Sequence, residues 1–68
     1  MATAWIDQIF TAQAVQKGEV VRRDLGDVIK YASIDELLAE VRNRNFHLIQ
    51  VGDQLVIVCN PGVIQIHC

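Results

Sequence analysis

Two histidines and two cysteines are the residues of this chain that could bind a metal ion or carry out redox chemistry. They lie in the segments "NFHLIQ", "VIVCNP" and "VIQIHC", all within the last third of the 68 residues. Zinc binds thiolate and imidazole ligands at about 2.0–2.3 Å, so the side chains of a site must converge on one point. The secondary structure that carries these four residues therefore decides whether they can form a site.

The segment that holds them predicts an antiparallel meander of three short strands, at about 46–51, 54–59 and 63–67. Gly52-Asp53 is a two-residue hairpin signal between the first two strands. Pro61-Gly62 suits the middle of a second tight turn. With these two turns, His47 pairs with Val58, and Val56 pairs with His67 on the other side.

This register places the cysteines and the histidines on opposite faces of the sheet, because side chains alternate along a strand. One face is apolar and is expected to lie under a helix: Phe46, Leu48, Leu55, Ile57, Cys59, Ile64, Ile66 and Cys68. The two cysteines are then on the order of 13 Å apart, whereas a disulfide needs Cα atoms within about 7 Å. The sequence predicts no disulfide, no metal site, no cofactor and no catalytic residue.

The helix over this sheet is predicted at about 34–44, in "SIDELLAEVRNRN". Ser33 and Glu36 form a capping box at its start. The apolar residues Ile34, Leu37, Leu38 and Val41 share one helical face. Asn45 can adopt the left-handed conformation that ends a helix. Together with the strands, this helix indicates a single α+β domain over residues 1–68.

The sequence pattern of the N-terminal half is less regular than that of the C-terminal half. Trp5, Ile6, Ile9 and Phe10 have the spacing of a short amphipathic helix, and a strand is expected near 19–23. The stretch "DLGDVIKYA" is compatible with a helical turn capped by Asp24 or with the return arm of a hairpin. The conformation of residues 17–32 is left open between these two alternatives.

The second face of the sheet is also rich in apolar residues, which one helix cannot cover. The residues expected at an interface are Ile49, Val51, Val56, Val58, Val63 and, from the N-terminal segment, Trp5. Either the N-terminal helix packs on this face or another subunit does. Large exposed apolar patches usually mark interfaces, so a homodimer or a protein partner is predicted.

Arg22 and Arg23 are the candidate anion-binding residues, because guanidinium groups bind carboxylates and phosphates in a bidentate manner. The alternative is that these charges lie on a solvated strand edge and discourage unwanted strand pairing. The pattern favours the second interpretation.

Size and composition limit the classes of function. A domain of 68 residues buries only about 60% of its unfolded surface, so a partner subunit would help to stabilise it. The net charge of −2 argues against nucleic-acid binding, which normally requires a basic excess. No signal sequence and no apolar stretch of about 20 residues is visible, which predicts a cytoplasmic protein without membrane association.

The chain resembles a group of short uncharacterised bacterial proteins over nearly its whole length. The likeness lies in "WIDQIF", "VVRR", "YAS", "LLAEVRNRNFHL", "GDQLVIVC" and the terminal Cys68. Some of these proteins carry an automatic label as phosphoribosylanthranilate isomerase. That activity belongs to a TIM barrel of about 200 residues or more, which this chain cannot build. The resemblance implies no active site, so it assigns no functional residue.

Three functions remain as expectations. The first is a non-enzymatic interaction module that self-associates or binds a partner through the outer apolar sheet face. The second is a winged-helix-like DNA-binding protein, because a helix followed by a hairpin imitates a recognition helix and its wing. The third is a small anion-binding enzyme or an enzyme accessory subunit.

Overall fold

The computed structural model describes residues 3–68 and contains four helices and three strands within them. In chain order the elements are α1 (Ala4–Phe10), α2 (Gln13–Gln16), β1 (Val20–Asp24), α3 (Leu25–Tyr31), α4 (Ile34–Asn43), β2 (His47–Val51) and β3 (Gln54–Val58). The predicted α+β class is confirmed, as are the short N-terminal helix and the strand near 19–23.

Helix α4 begins and ends where its local sequence predicts. The Ser33 side chain accepts a hydrogen bond from the Glu36 backbone N–H at 3.1 Å, and its hydroxyl donates to Glu36 Oε1 at 3.4 Å. The first bond is the N-cap half of the predicted capping box. The reciprocal half is not formed among the described residues, because the Glu36 carboxylate accepts from the Ser33 hydroxyl and not from the Ser33 backbone N–H. At the other end, Asn45 has φ +59°, a left-handed conformation that stops the helix.

The stretch after β1 is helical, which decides between the two alternatives for residues 17–32. The Asp24 carboxylate accepts a hydrogen bond from the Gly26 N–H at 2.8 Å and caps α3. Two residues, Ala32 and Ser33, then connect α3 to α4. The chain therefore contains two consecutive helices joined by a short turn and followed by a β-hairpin.

The sheet is antiparallel, and its strand order is β1-β3-β2. Between β2 and β3 the register is the predicted one, with His47 opposite Val58 and Val51 opposite Gln54. The turn between them has φ +59° at Gly52 and no positive φ at Asp53. A glycine in the first central position is typical of a type II′ hairpin turn.

The predicted third strand at 63–67 is wrong, and β1 takes its place beside β3. Val56 lies opposite Arg22 on that side, not opposite His67. Because β2 already occupies the other side, β3 has no free edge left for the segment 63–67. Ile64, Ile66 and Cys68, which were expected in the core, are exposed, and Ile66 is 85% exposed.

All four helices lie on one side of the sheet, which we call the inner face. Their buried residues form a single core cluster with Val21, Leu55, Ile57 and Cys59 of the sheet region. The helical members of this cluster are Ile6, Ile9, Phe10, Val15, Val28, Leu37 and Val41. The N-terminal helix therefore packs on the inner face, and no helix within residues 3–68 lies on the opposite face of the sheet.

Candidate interaction surface

The outer face of the sheet carries a cluster of apolar side chains. Since Val21, Leu55 and Ile57 point into the core, the alternating residues of each strand point outward. The apolar residues among them are Val20, Ile49, Val51, Val56 and Val58, which we call the outer cluster. Val51 is 63% exposed and Val20 is 52% exposed, while the other three are half-buried.

The chain turns toward this face after β3. The Gly62 N–H donates a hydrogen bond to the Asn60 side-chain oxygen at 2.7 Å, which forms a tight turn. The Gly62 carbonyl lies 2.7 Å from Nε2 of His47. A depression of about 600 Å³ follows, bordered by Val20, Ile49 and Val58 of the sheet and by Val63, Ile64 and Gln65 of the segment after the turn.

The structure does not bring the histidines and cysteines together. Cys59 is buried on the inner face, whereas His47 lies on the outer face, as the register predicted. Burial raises the pKa of the Cys59 thiol above its usual 9.0, and the nearby Arg44 guanidinium lowers it in part. Cys68 and His67 are exposed. Within residues 3–68, no three histidine, cysteine or acidic side chains gather as a metal site requires.

The two candidate anion-binding arginines do not form a pair. Arg22 lies on the outer face opposite Val56, and it lines a small depression of about 150 Å³ with Val51 and Gln54. Arg23 is the next residue on the strand, so it points to the other side of the sheet. Its guanidinium donates a hydrogen bond to the Arg22 carbonyl at 2.6 Å. A single anion cannot be held between them in this arrangement.

Trp5 lies apart from the other residues predicted at the interface. It is half-buried against the core on the helical side, where its ring stacks on that of Tyr31 with centroids 5.6 Å apart. The Lys30 ammonium lies 5.3 Å from the centroid of the same Tyr31 ring. Ile49, Val51, Val56, Val58 and Val63 do lie together on the outer side.

Sequence reasoning missed Val20 as a member of this surface. Val20 lies opposite Val58 and next to the buried Val21. The pair Val20-Val21 shows no polar alternation, so its face assignment depends on knowing that β1 pairs with β3. The strand itself is predicted by its β-branched residues, but its neighbour in the sheet is not.

Comparison with family models, with curated proteins and with solved structures finds no match to this chain. Among residues 3–68, no helix has the length and apolar character that crossing a membrane requires.

Proposed function

We propose that the chain is a protein-interaction module that self-associates or binds a partner protein through the outer face of its sheet. One observation carries this proposal: the outer cluster lies on a sheet face that no helix among residues 3–68 covers. Antiparallel sheets with one face in water normally alternate apolar and polar residues, so that the solvated face is polar. Here five outward positions on three adjacent strands are apolar.

The cluster is arranged as a surface that another protein can cover. The cross-strand pairs Val20–Val58 and Ile49–Val56 place its members side by side across the sheet. Two charged residues of β1, Arg22 and Asp24, lie at its rim on the same face. An apolar centre with a polar rim is the usual composition of a protein interface.

A substitution that introduces a charge in the middle of the outer face tests the proposal. Val56 lies on the central strand, and Arg22 lies directly opposite it, so the Val56→Glu variant gains a cross-strand partner of opposite charge in the monomer. We expect sedimentation velocity to show self-association of the wild-type chain, weakened at least tenfold in Val56→Glu.

The matched control is Ile29→Glu, which introduces the same charge at a 60% exposed apolar residue of α3. This control should associate as the wild type does. Equal association of Val56→Glu and wild type would contradict the proposed use of the outer face. A wild-type chain that stays monomeric at all soluble concentrations would remove the self-associating version and leave only binding to a different protein.

DNA binding is the second candidate, and the order of elements supports it. Helices α3 and α4 are consecutive and the β2–β3 hairpin follows them, which is the element order of a helix-turn-helix with a wing. Electrostatics oppose it, because α4 carries Asp35, Glu36 and Glu40, and the hairpin turn carries Asp53.

A titration with a labelled DNA duplex distinguishes the two candidates. Phosphate contacts make affinity fall steeply with salt concentration. Tight binding at low salt that weakens as salt is added would support the DNA-binding candidate. Absence of such binding, together with the Val56→Glu result above, would support the interaction module. Together with the interaction module, we propose the cytoplasmic location that the sequence predicts.

A further inference from the structure

The segment Val63–His67 has the sequence of a strand but is paired with no strand among residues 3–68. It reads V-I-Q-I-H, with three β-branched residues of high strand propensity and alternation in its second half. Val63 is 92% exposed and Ile66 is 85% exposed. We call Val63–His67 the free segment.

The free segment cannot pair with β3, because backbone hydrogen bonds occupy both sides of that strand. On the β1 side, the Leu25 N–H donates to the Asp53 carbonyl at 2.8 Å, and the Cys59 N–H donates to the Glu19 carbonyl at 3.3 Å. Odd-numbered residues of β3 therefore bond to β1, and by alternation its even-numbered residues bond to β2.

The same alternation identifies the free backbone groups at the two edges of the sheet. On β2, the residues opposite the even-numbered residues of β3 form hydrogen bonds with β3. The N–H and C=O groups of Leu48 and Gln50 therefore point away from β3, toward the free edge of the sheet. On β1, the groups that point away from β3 belong to Val20, Arg22 and Asp24, and the Arg22 carbonyl already accepts a hydrogen bond from the Arg23 guanidinium. Each edge can accept a further strand by backbone hydrogen bonding.

The two edges of the sheet differ in their content of charged residues. The β1 edge carries Arg22, Arg23 and Asp24 among its five residues, and charged residues on an edge strand discourage pairing. The β2 edge, His47–Val51, has no acidic residue, lysine or arginine. The free segment has none either. An uncharged strand and an uncharged edge can pair without desolvating a charge, so β2 is the compatible edge.

We infer that the free segment of one copy of this chain adds as a strand to the β2 edge of a second copy. The Gly62 carbonyl is held at His47, the first residue of β2. Within its own chain, the free segment would therefore run parallel to β2. On a second copy it can run antiparallel, which is the more stable pairing. Reciprocal exchange between two copies closes a two-fold dimer.

Strand addition would bury apolar side chains that are exposed in the monomer, since Val63 is 92% exposed and Ile66 is 85% exposed. The inference concerns the sheet edge, so it does not depend on the proposed use of the outer face.

Hydrogen exchange measured by NMR at two protein concentrations tests the pairing directly. The N–H groups of Leu48 and Gln50 have no strand partner in the monomer, so we expect them to exchange fast in dilute solution. At high concentration their exchange should slow at least tenfold, together with alternate amides of the free segment. Fast exchange of both N–H groups at a concentration where the chain is dimeric would overturn the inference.

Proline substitutions in the free segment provide a second test by sedimentation velocity. Proline has no N–H to donate, and in an added strand either Ile64 or Gln65 must point its N–H at the β2 edge. At least one of the variants Ile64→Pro and Gln65→Pro should therefore weaken dimerisation at least tenfold. Both positions lie outside the sheet of the monomer, so its thermal unfolding should not change. Wild-type association of both variants would contradict the inference.

A charge at the edge supplies the matched control. Gln50 on the β2 edge and Gln54 on the central strand are both exposed. Gln50→Lys should weaken the dimer, and Gln54→Lys should not.

If Val56→Glu dissociates the dimer while both proline variants and Gln50→Lys leave it intact, association uses the outer face and the strand-addition inference fails. The reverse pattern would support strand addition and contradict self-association through the outer face, which leaves binding of a different protein as the proposed use of that face.

Discussion

Trp5 and Tyr31 stack with their ring centroids 5.6 Å apart and their planes inclined by 28°, which joins α1 to α3. Tyr31 is 50% exposed, so the pair lies at the rim of the core on the helical side. Because α1 precedes the sheet and α3 follows its first strand, this contact helps to fix the N-terminal helix against the rest of the domain.

A double-mutant cycle should detect this contact. Stacked aromatic pairs contribute about 0.5–1.5 kcal/mol beyond the area that they bury. We expect the losses in unfolding free energy of Trp5→Ala and Tyr31→Ala to be non-additive by about that amount, as measured by urea denaturation. Tyr31→Phe keeps the ring and serves as the control. Additive losses would show that the two rings do not interact in solution.

The Ser33 N-cap of α4 should contribute measurably to the stability of the domain. Replacement of an N-cap serine by alanine typically costs about 1 kcal/mol. We expect Ser33→Ala to lower the unfolding free energy by about this amount, since it removes the acceptor for the Glu36 N–H. Ser33→Asp keeps an acceptor oxygen and should retain most of the stability. Equal urea midpoints for Ser33→Ala and the wild type would argue against the cap.

The hairpin turn should depend on the glycine at position 52. Apart from the two neighbouring residues, no atom of residues 3–68 lies within 4 Å of a Cβ placed there, so the cost of Gly52→Ala arises from the positive φ. Sparsely populated backbone conformations of this kind cost an L-residue about 1–3 kcal/mol. Asp53→Ala, at the next position of the same turn, should cost less. Thermal unfolding of the two variants provides the comparison.

Cys59 should make the stability of the domain pH-dependent at alkaline pH. Burial raises the pKa of its thiol in the folded state above 9.0. The folded state therefore holds this proton more tightly than the unfolded state does. Its contribution to stability is complete below pH 9.0 and is lost as the pH rises through the folded pKa.

The difference in unfolding free energy between wild type and Cys59→Ala isolates this effect from the other groups that titrate there. We expect that difference to become smaller as the pH is raised above about 9. Alkylation offers an independent measurement: Cys68 is exposed and should react in the native state, whereas buried Cys59 should react only after unfolding. Equal alkylation rates for the two thiols would contradict the buried position of Cys59.

Local sequence patterns predict most of the helices and strands. The wrongly predicted strand at 63–67 is explained by competition between two distant segments for the same side of β3. The Ser33 N-cap, the amphipathic spacing of α4 and the Gly52-Asp53 turn each depend on residues within a few positions, and all three are present in the structure. The third strand depends on which of two segments reaches the free side of β3. The segments 20–24 and 63–67 both have strand-forming sequences. Their local patterns do not indicate which of the two pairs with β3.

The same limit applies to the outer cluster. Its members on β2 and β3 were predicted correctly to share a face, because one hairpin fixes their register. Val20 was missed and Trp5 was added, because their positions depend on how the N-terminal half packs. That packing is set by the core contacts of α1 and by the pairing of β1 with β3.

The central strand obtains its two neighbours from very different distances along the chain. β2 is separated from β3 by only two residues, whereas β1 is separated from β3 by two helices and a strand. Closing the longer loop costs more chain entropy and is slower. During refolding we therefore expect the hairpin to form early and the docking of β1 to limit the rate. Destabilising substitutions in β1 should then slow folding, whereas substitutions in the free segment should leave the folding rate unchanged.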